Sequence, residues 1–210
     1  MVSTNHPPPQ IKPAPIWTKI NAGEQILRLY NPDLFEAKPL SFRTFGPLAR
    51  FDHHRLPKQD DPERGILYAG KTLSCCIVEV FGDMRMVEVG NWKLAKMTAT
   101  RDLLLLDLRG SGAMKAGTVA GVCKDSNRSF SQEWSKYFYE NSFLYEKIDG
   151  LAFSNAHNDE DSYVFYERAS NGLSCGEGDC VKLSNHALEA DVRLSATENN
   201  LLVRAYKSTP

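Results

Sequence analysis

Glu79 has the setting most suggestive of chemistry in this sequence. It interrupts Cys75-Cys76-Ile77-Val78 and Val80-Phe81, and a carboxylate among apolar neighbours is costly to bury unless something partners it or a reaction uses it. A second option stays open, because Thr72, Cys75, Glu79 and Asp83 fall at helical spacing and that stripe could simply face water. Two arginines stand in comparable surroundings. Arg28 lies inside Ile26-Leu27-Arg28-Leu29-Tyr30 and Arg50 inside Leu48-Ala49-Arg50-Phe51-Asp52. A guanidinium is the planar donor that grips phosphate through two parallel hydrogen bonds, although pairing with a surface acid is the commoner use of such a charge. Ser154-Asn155 places small polar groups after Leu151-Ala152-Phe153, where a turn alone would account for them.

Other groupings point to less. Gly110-Ser111-Gly112 follows the strand-like Leu103 to Leu108, as a dinucleotide-binding loop would. Lys115 then stands where a small residue is needed for close helix packing, and Gly117 would interrupt the helix that must follow, so a plain turn is expected. Cys175 and Cys180 flank Gly-Glu-Gly-Asp with His186 nearby; a structural zinc site wants four ligands at tight spacings, so free surface thiols and no metal are the expectation. His53-His54 sends adjacent side chains to opposite faces of an extended backbone, which suits ordinary loop histidines better than a shared ion.

The elements that must position these groups are short. Thr72 caps a helix predicted over Leu73 to Phe81, with Gly82 ending it. Strands are predicted at Ile26 to Tyr30, Gly65 to Ala69, Met84 to Val89, Leu103 to Leu108, Gly150 to Ser154 and Tyr163 to Arg168. A second helix runs from about Ser131 to Glu140, apolar at Trp134, Tyr137 and Phe138. Arg55 to Arg64 reads as a surface loop, and Leu201 to Tyr206 as a last strand after a polar, glycine-rich tail from Ser170. Many short strands without regular strand-helix alternation indicate a mixed α+β fold. Five of the 11 prolines lie in the first 15 residues, so residues 1–20 are expected to form a flexible arm and residues 21–210 a single domain.

Composition narrows the partners. The chain has 210 residues, with 25 Lys plus Arg against 26 Asp plus Glu and a net charge of -1. No global positive field exists to attract nucleic acid or anionic lipid. No apolar run approaches the roughly 20 residues of a membrane span. Five cysteines, with Cys75 and Cys76 adjacent, do not form a secreted disulfide framework, so a soluble cytoplasmic protein with reduced thiols is expected.

Taken in order, these pieces resemble the RES domain, named for its arginine, glutamate and serine and found as the toxin of bacterial RES-Xre toxin-antitoxin pairs. Leu27-Arg28-Leu29-Tyr30 resembles the family's first-strand arginine, and Gly46 to Asp52 its basic-aromatic loop. Leu67-Tyr68-Ala69 precedes the helix whose Glu79 stands at the family's glutamate, and Asp149 to Ser154 resembles the strand that ends in its serine. The likeness spans about Leu27 to Ala169. Relatives often have glycine before the loop arginine and asparagine soon after it, where this chain has Ala49 and Asp52.

The resemblance implies a fold like that of ADP-ribosyltransferases: short, mostly antiparallel strands in two packed sheets with flanking helices. It implies cleavage of the nicotinamide-ribose bond of NAD+, used as substrate with no separate cofactor. Glu79, Arg28 and Ser154 would be catalytic, with Arg28, Arg50, Tyr30, Tyr68, Ser154 and Asn155 holding the dinucleotide. It further implies a toxin silenced by an Xre-type antitoxin that covers the cleft, with a homodimer among the options. Alternatives are transfer of ADP-ribose to a protein, a nucleotide-binding module without turnover, and an interaction domain docking through its proline-rich arm.

Overall fold

The computed structural model describes residues 5–204. Its centre is a nine-stranded sheet, built from β1 (Trp17–Ile20), β2 (Gln25–Tyr30), β3 (Ile66–Gly70), β4 (Lys93–Ala99), β5 (Leu103–Asp107), β6 (Gly150–Ser154), β7 (Asp161–Tyr166), β8 (Leu173–Ser174) and β9 (Cys180–Lys182). Their order is β1-β5-β6-β7-β3-β2-β4-β8, with β9 also paired to β4. All pairs are antiparallel except β5 with β6. Two small ribbons join Phe45–Gly46 to Gln59–Asp60 and Met86–Val87 to Leu202–Val203. The fold is thus the expected mixed α+β one, its short, mostly antiparallel strands curling in a continuous sheet with flanking helices.

Three long helices flank it: α1 (Leu73–Phe81), α2 (Arg128–Glu140) and α3 (His186–Glu198). α1 begins where the Thr72 hydroxyl accepts from the Cys75 amide at 2.9 Å, and it buries Cys76, Ile77, Val78 and Phe81 against Leu29, Leu94 and Val192. Gly70 allows that close start, since a Cβ there would meet the Cys75 sulfur at 2.9 Å. α2 lays Phe130, Trp134 and Phe138 over Leu151, Phe153 and Val164. The opposite face of the sheet buries Ile26, Leu67, Met97 and Phe165. Each fully buried side chain of this size contributes roughly 1.5–3 kcal/mol. No helix among the described residues is long and apolar enough to cross a membrane.

The N-terminal segment differs from a flexible arm. Trp17–Ile20 form β1, so the sheet begins before the expected boundary at residue 20. Upstream, the Trp134 indole donates to the Asn5 carbonyl at 2.8 Å and the Ala14 amide donates to the Lys115 carbonyl at 2.8 Å. The predicted last strand reduces to Leu202–Val203; residues 205 and 206 lie outside the described residues. α3, within the polar tail, has no counterpart in the sequence reading, because its helical stripe buries only Val192, Ser195 and Ala196.

Candidate active site

Glu79 projects from α1 toward β7, because helical spacing puts it one turn beyond Cys75. The Ser162 hydroxyl donates to Glu79 Oε1 at 3.4 Å and lies 3.0 Å from Cys75 Sγ. Water reaches the carboxylate, which stands in a hollow of about 70 Å³ walled by Leu29, Tyr68, Val80 and Phe153. Those walls strip enough solvent to raise its pKa above the ordinary value, against the opposing pull of His157, Arg50 and the Ser162 hydrogen bond. Gly82 admits His157 here, since a Cβ at that position would lie 2.7 Å from the imidazole. The helical stripe thus faces water at Thr72 and Asp83, and Glu79 stands at the mouth of a largely apolar hollow.

A larger space adjoins it. β2 pairs with β3 only at Leu27 and Gly70, so the sheet is split beyond that point. A cavity of about 850 Å³ opens there, lined by Arg28, Tyr30, Arg43 and Phe45 and sharing Leu29 and Tyr68 with the Glu79 hollow. Arg28 Nη1 donates to the carbonyls of Pro39 and Ser41, both at 2.9 Å. No carboxylate of the described residues lies within ion-pairing distance of it. Burial lowers its pKa from 12.5 to about 10, so it keeps its charge at neutral pH. Arg50 likewise donates to a backbone carbonyl, that of Asp125, and has no carboxylate partner there. A carbonyl satisfies a donor without neutralising its charge.

Arg43 is the contrast. Its Nη2 binds both oxygens of Asp52 at 2.8 Å, and Asp52 also accepts from the amides of Leu48 and Ala49 and from the Tyr68 hydroxyl at 3.0 Å. With Asp52 only 1% exposed, Arg43 supplies the countercharge that a buried aspartate needs. The Phe51 amide donates to the Tyr68 oxygen at 2.9 Å, and burial holds the Tyr68 pKa well above its usual value. The Tyr68 hydroxyl is therefore committed to the protein, and its ring is what faces the cavity.

The expected serine needs correction. Register pairs Phe153 with Ser162 and Ser154 with Asp161, and facing residues of an antiparallel pair share a side while successive residues alternate. Ser154 consequently faces away from Glu79, and Ser162 supplies the hydroxyl in the hollow. Asn155 is also not placed as a ligand: it is buried, its amide nitrogen donates to Asn158 at 2.6 Å and contacts Cys75 Sγ at 3.6 Å, and its oxygen accepts from the His157 and Asn158 amides. It shapes the turn that carries His157. Arg28, Tyr30 and Tyr68 do share one cavity, and Arg50 is electrostatically coupled to Glu79. Ser162, Arg43 and His157 were missed; the one signal for Ser162 was a small polar residue opening the alternating Ser162-Tyr163-Val164-Phe165-Tyr166.

The remaining sequence candidates take structural roles. His53 and His54 are buried and not loop-exposed: the His53 ring packs 4.4 Å from both Tyr139 and Tyr166 with Nε2 3.0 Å from Glu167, while His54 Nε2 lies 3.2 Å from the Arg43 carbonyl. Gly110 makes a turn at φ 52°, followed by a helix of only four residues. No group of three or more metal-ligating side chains gathers among the described residues.

The sequence pattern of the RES domain matches residues 26–180, from the start of β2 to the start of β9. The chain belongs to the RES domain family. No curated protein matches it. Among solved structures, this RES chain is similar to one in the crystal structure of the M. tuberculosis MbcT-MbcA toxin-antitoxin complex, with a TM-score of 0.60 and 18% identity over 84% of this chain and 92% of that one. At that identity the likeness is one of fold. The RES match includes the split between β2 and β3, α1 with Glu79, and β7 with Ser162, and it excludes β1 and α3.

Proposed function

We propose that this RES-domain protein is the toxin of a toxin-antitoxin pair and acts on NAD+, cleaving the bond between nicotinamide and ribose. One observation carries the reading: Arg28, which has no carboxylate partner among the described residues, lines a cavity of about 850 Å³ that shares a wall with the recess holding Glu79. A half-buried guanidinium held only by backbone carbonyls is suited to an anion, and a dinucleotide carries its diphosphate a short way from the scissile bond. The cavity has the size range of small-molecule sites.

The chemistry asks for little machinery. Nicotinamide leaves as a neutral molecule, so the leaving group needs no general acid, unlike an ordinary glycoside that requires two carboxylates. Glu79 stabilises positive charge developing on the ribose or holds its hydroxyls while an acceptor attacks. Desolvation raises its pKa and disfavours the charged form, and the cation developing beside it offsets that penalty and favours the carboxylate. Ser162 holds the carboxylate by hydrogen bond, Arg28 and Arg50 neutralise phosphate, and the Tyr68 ring stacks on nicotinamide. NAD+ is substrate, and no separate cofactor enters. An antitoxin of Xre type would silence the enzyme by covering the cavity mouth.

Release of nicotinamide from NAD+ by the purified chain tests the reading, with Glu79→Gln as the inactive control. Absence of nicotinamide release at high enzyme concentration, together with no NAD+ binding in calorimetry, would refute it. Label from NAD+ fixed on a macromolecule would assign ADP-ribosyl transfer, and free ADP-ribose or its phosphate would assign destruction of the dinucleotide.

A further inference from the structure

Cys175 and Cys180 belong to no metal site and touch none of the groups assigned to cleavage, yet they are placed together and against the cavity wall. The short turn between β8 and β9, which pair in succession along β4, brings their sulfurs to 3.4 Å, both partly exposed, while Cys75, Cys76 and Cys123 are buried. Both pack on the same cluster as Tyr30. Burial first, and then the nearness of Cys180 and Cys175, pushes the Tyr30 pKa up to about 12. Tyr30 lines the cavity beside Arg28, on the same strand. The four-residue link Gly176-Glu177-Gly178-Asp179 has two glycines, so the backbone can close the remaining gap to a bond of about 2.05 Å.

We propose that Cys175 and Cys180 form a reversible dithiol-disulfide pair whose oxidation state sets the position of Tyr30 in the wall of the Arg28 cavity. The oxidant is a small-molecule disulfide such as oxidised glutathione. A thiolate from one cysteine attacks a sulfur of the small disulfide, forming a mixed disulfide and expelling one small thiolate. The second cysteine then attacks the protein sulfur, the new bond forms, and a second small thiolate leaves. Two protons pass from the cysteines to the two small thiols, two electrons reduce the small disulfide, and excess reduced thiol reverses the sequence. Burial pushes the Cys175 thiol up to about 12, so the exchange is slow at neutral pH and faster in alkali. Oxidation removes the Cys180 thiol from Tyr30 and pulls on β9, which pairs with β4, the neighbour of β2.

The link to NAD+ rests on the proposed function, while the thiol chemistry and its effect on β2 do not. The full chain would be equilibrated in glutathione mixtures from reducing to oxidising, alkylated, and mapped by mass spectrometry. Hydrogen exchange of the peptide covering residues 25–33 would be followed in parallel, with Cys180→Ser as control. The expected result is a disulfide between Cys175 and Cys180 that forms and reverses with the mixture, with a several-fold change in exchange around Tyr30 that the variant lacks. Apparent NAD+ affinity shifts in the parent and not in Cys180→Ser. Thiols still alkylated in the most oxidising mixture would overturn the proposal, as would a disulfide that leaves exchange of β2 unchanged. A reduced protein that binds no NAD+ would instead overturn the proposed function, and the mapping and exchange results would still decide the switch.

Discussion

Replacing Arg28 with alanine separates a ligand-binding charge from a structural one. In the free protein the guanidinium makes two hydrogen bonds to carbonyls, at Pro39 and Ser41, and hydrogen bonds from a charged donor contribute about 1.5–3 kcal/mol each. Against them stands the cost of holding the charge in a poorly solvated wall. A pKa lowered from 12.5 to about 10 corresponds to roughly 3 kcal/mol of penalty on the charged form. Two such bonds total about 3–6 kcal/mol and the penalty offsets about half or more, so Arg28→Ala is expected to cost about 0–3 kcal/mol of folding stability. The ligand receives no such offset, because a diphosphate is the countercharge that the free protein lacks. Loss of one charge-assisted contact of about 1.5–3 kcal/mol weakens binding by about 10- to 150-fold. Calorimetric titration with NAD+ and urea unfolding of the same samples measure the two quantities. Arg28→Lys keeps charge without the fork and is expected to fall between parent and alanine. NAD+ affinity unchanged in Arg28→Ala, or a loss of stability well above about 3 kcal/mol, would refute the reasoning.

Other expectations concern different parts of the site. Glu79→Gln keeps the shape and the Ser162 contact but not the charge, so nicotinamide release should fall about 10²- to 10³-fold with an unchanged melting temperature; a parental rate would remove Glu79 from the mechanism. Because burial raises the Glu79 pKa, the acid limb of the rate should lie above that of an ordinary carboxylate, near pH 4.3 in reference peptides; a limb at or below that value would contradict its placement. Asp52→Ala leaves Arg43 and two loop amides without their acceptor and should cost about 3–5 kcal/mol in urea unfolding, whereas a neutral effect would mean that the loop does not depend on it. Burial lowers the pKa of both His53 and His54 below 6.5. Above that pH both states are neutral. As the pH falls through 6.5 the unfolded chain takes up protons first, so stability should drop by up to about 1.4 kcal/mol per histidine between pH 6.5 and 5.5. Glu79 opposes this, since its raised pKa makes the native state the readier proton acceptor. In Glu79→Gln, where that opposing contribution is gone, a stability that rises toward pH 5.5 would contradict the burial of the two rings.

Local order was legible where neighbours in the chain decide it. The helix Leu73–Phe81 and the strand Gly150–Ser154 lie where the cap, the apolar pattern and the flanking polar residues put them. Glu79 stood out because a carboxylate interrupts an apolar helix, and Arg28 because a charge interrupts an apolar strand. Those signals are carried by adjacent residues, so composition and spacing are enough to read them. Side and burial are different, because they depend on partners far along the chain. Ser154 and Ser162 are equally polar, and only the pairing of β6 with β7 sends one away from Glu79 and the other toward it. A shift of one residue in register would exchange them. His53 and His54 sit among loop residues in the sequence but go inside, where Glu167 and the Arg43 carbonyl meet their Nε2 atoms. The N-terminal segment is held by hydrogen bonds to Lys115 and Trp134, which prolines near the chain start could not announce. The sequence determined which side chains could do chemistry and the elements that carry them; the tertiary structure alone decided which of them meet, because contact across a sheet is set by register, and register is a property of the whole fold.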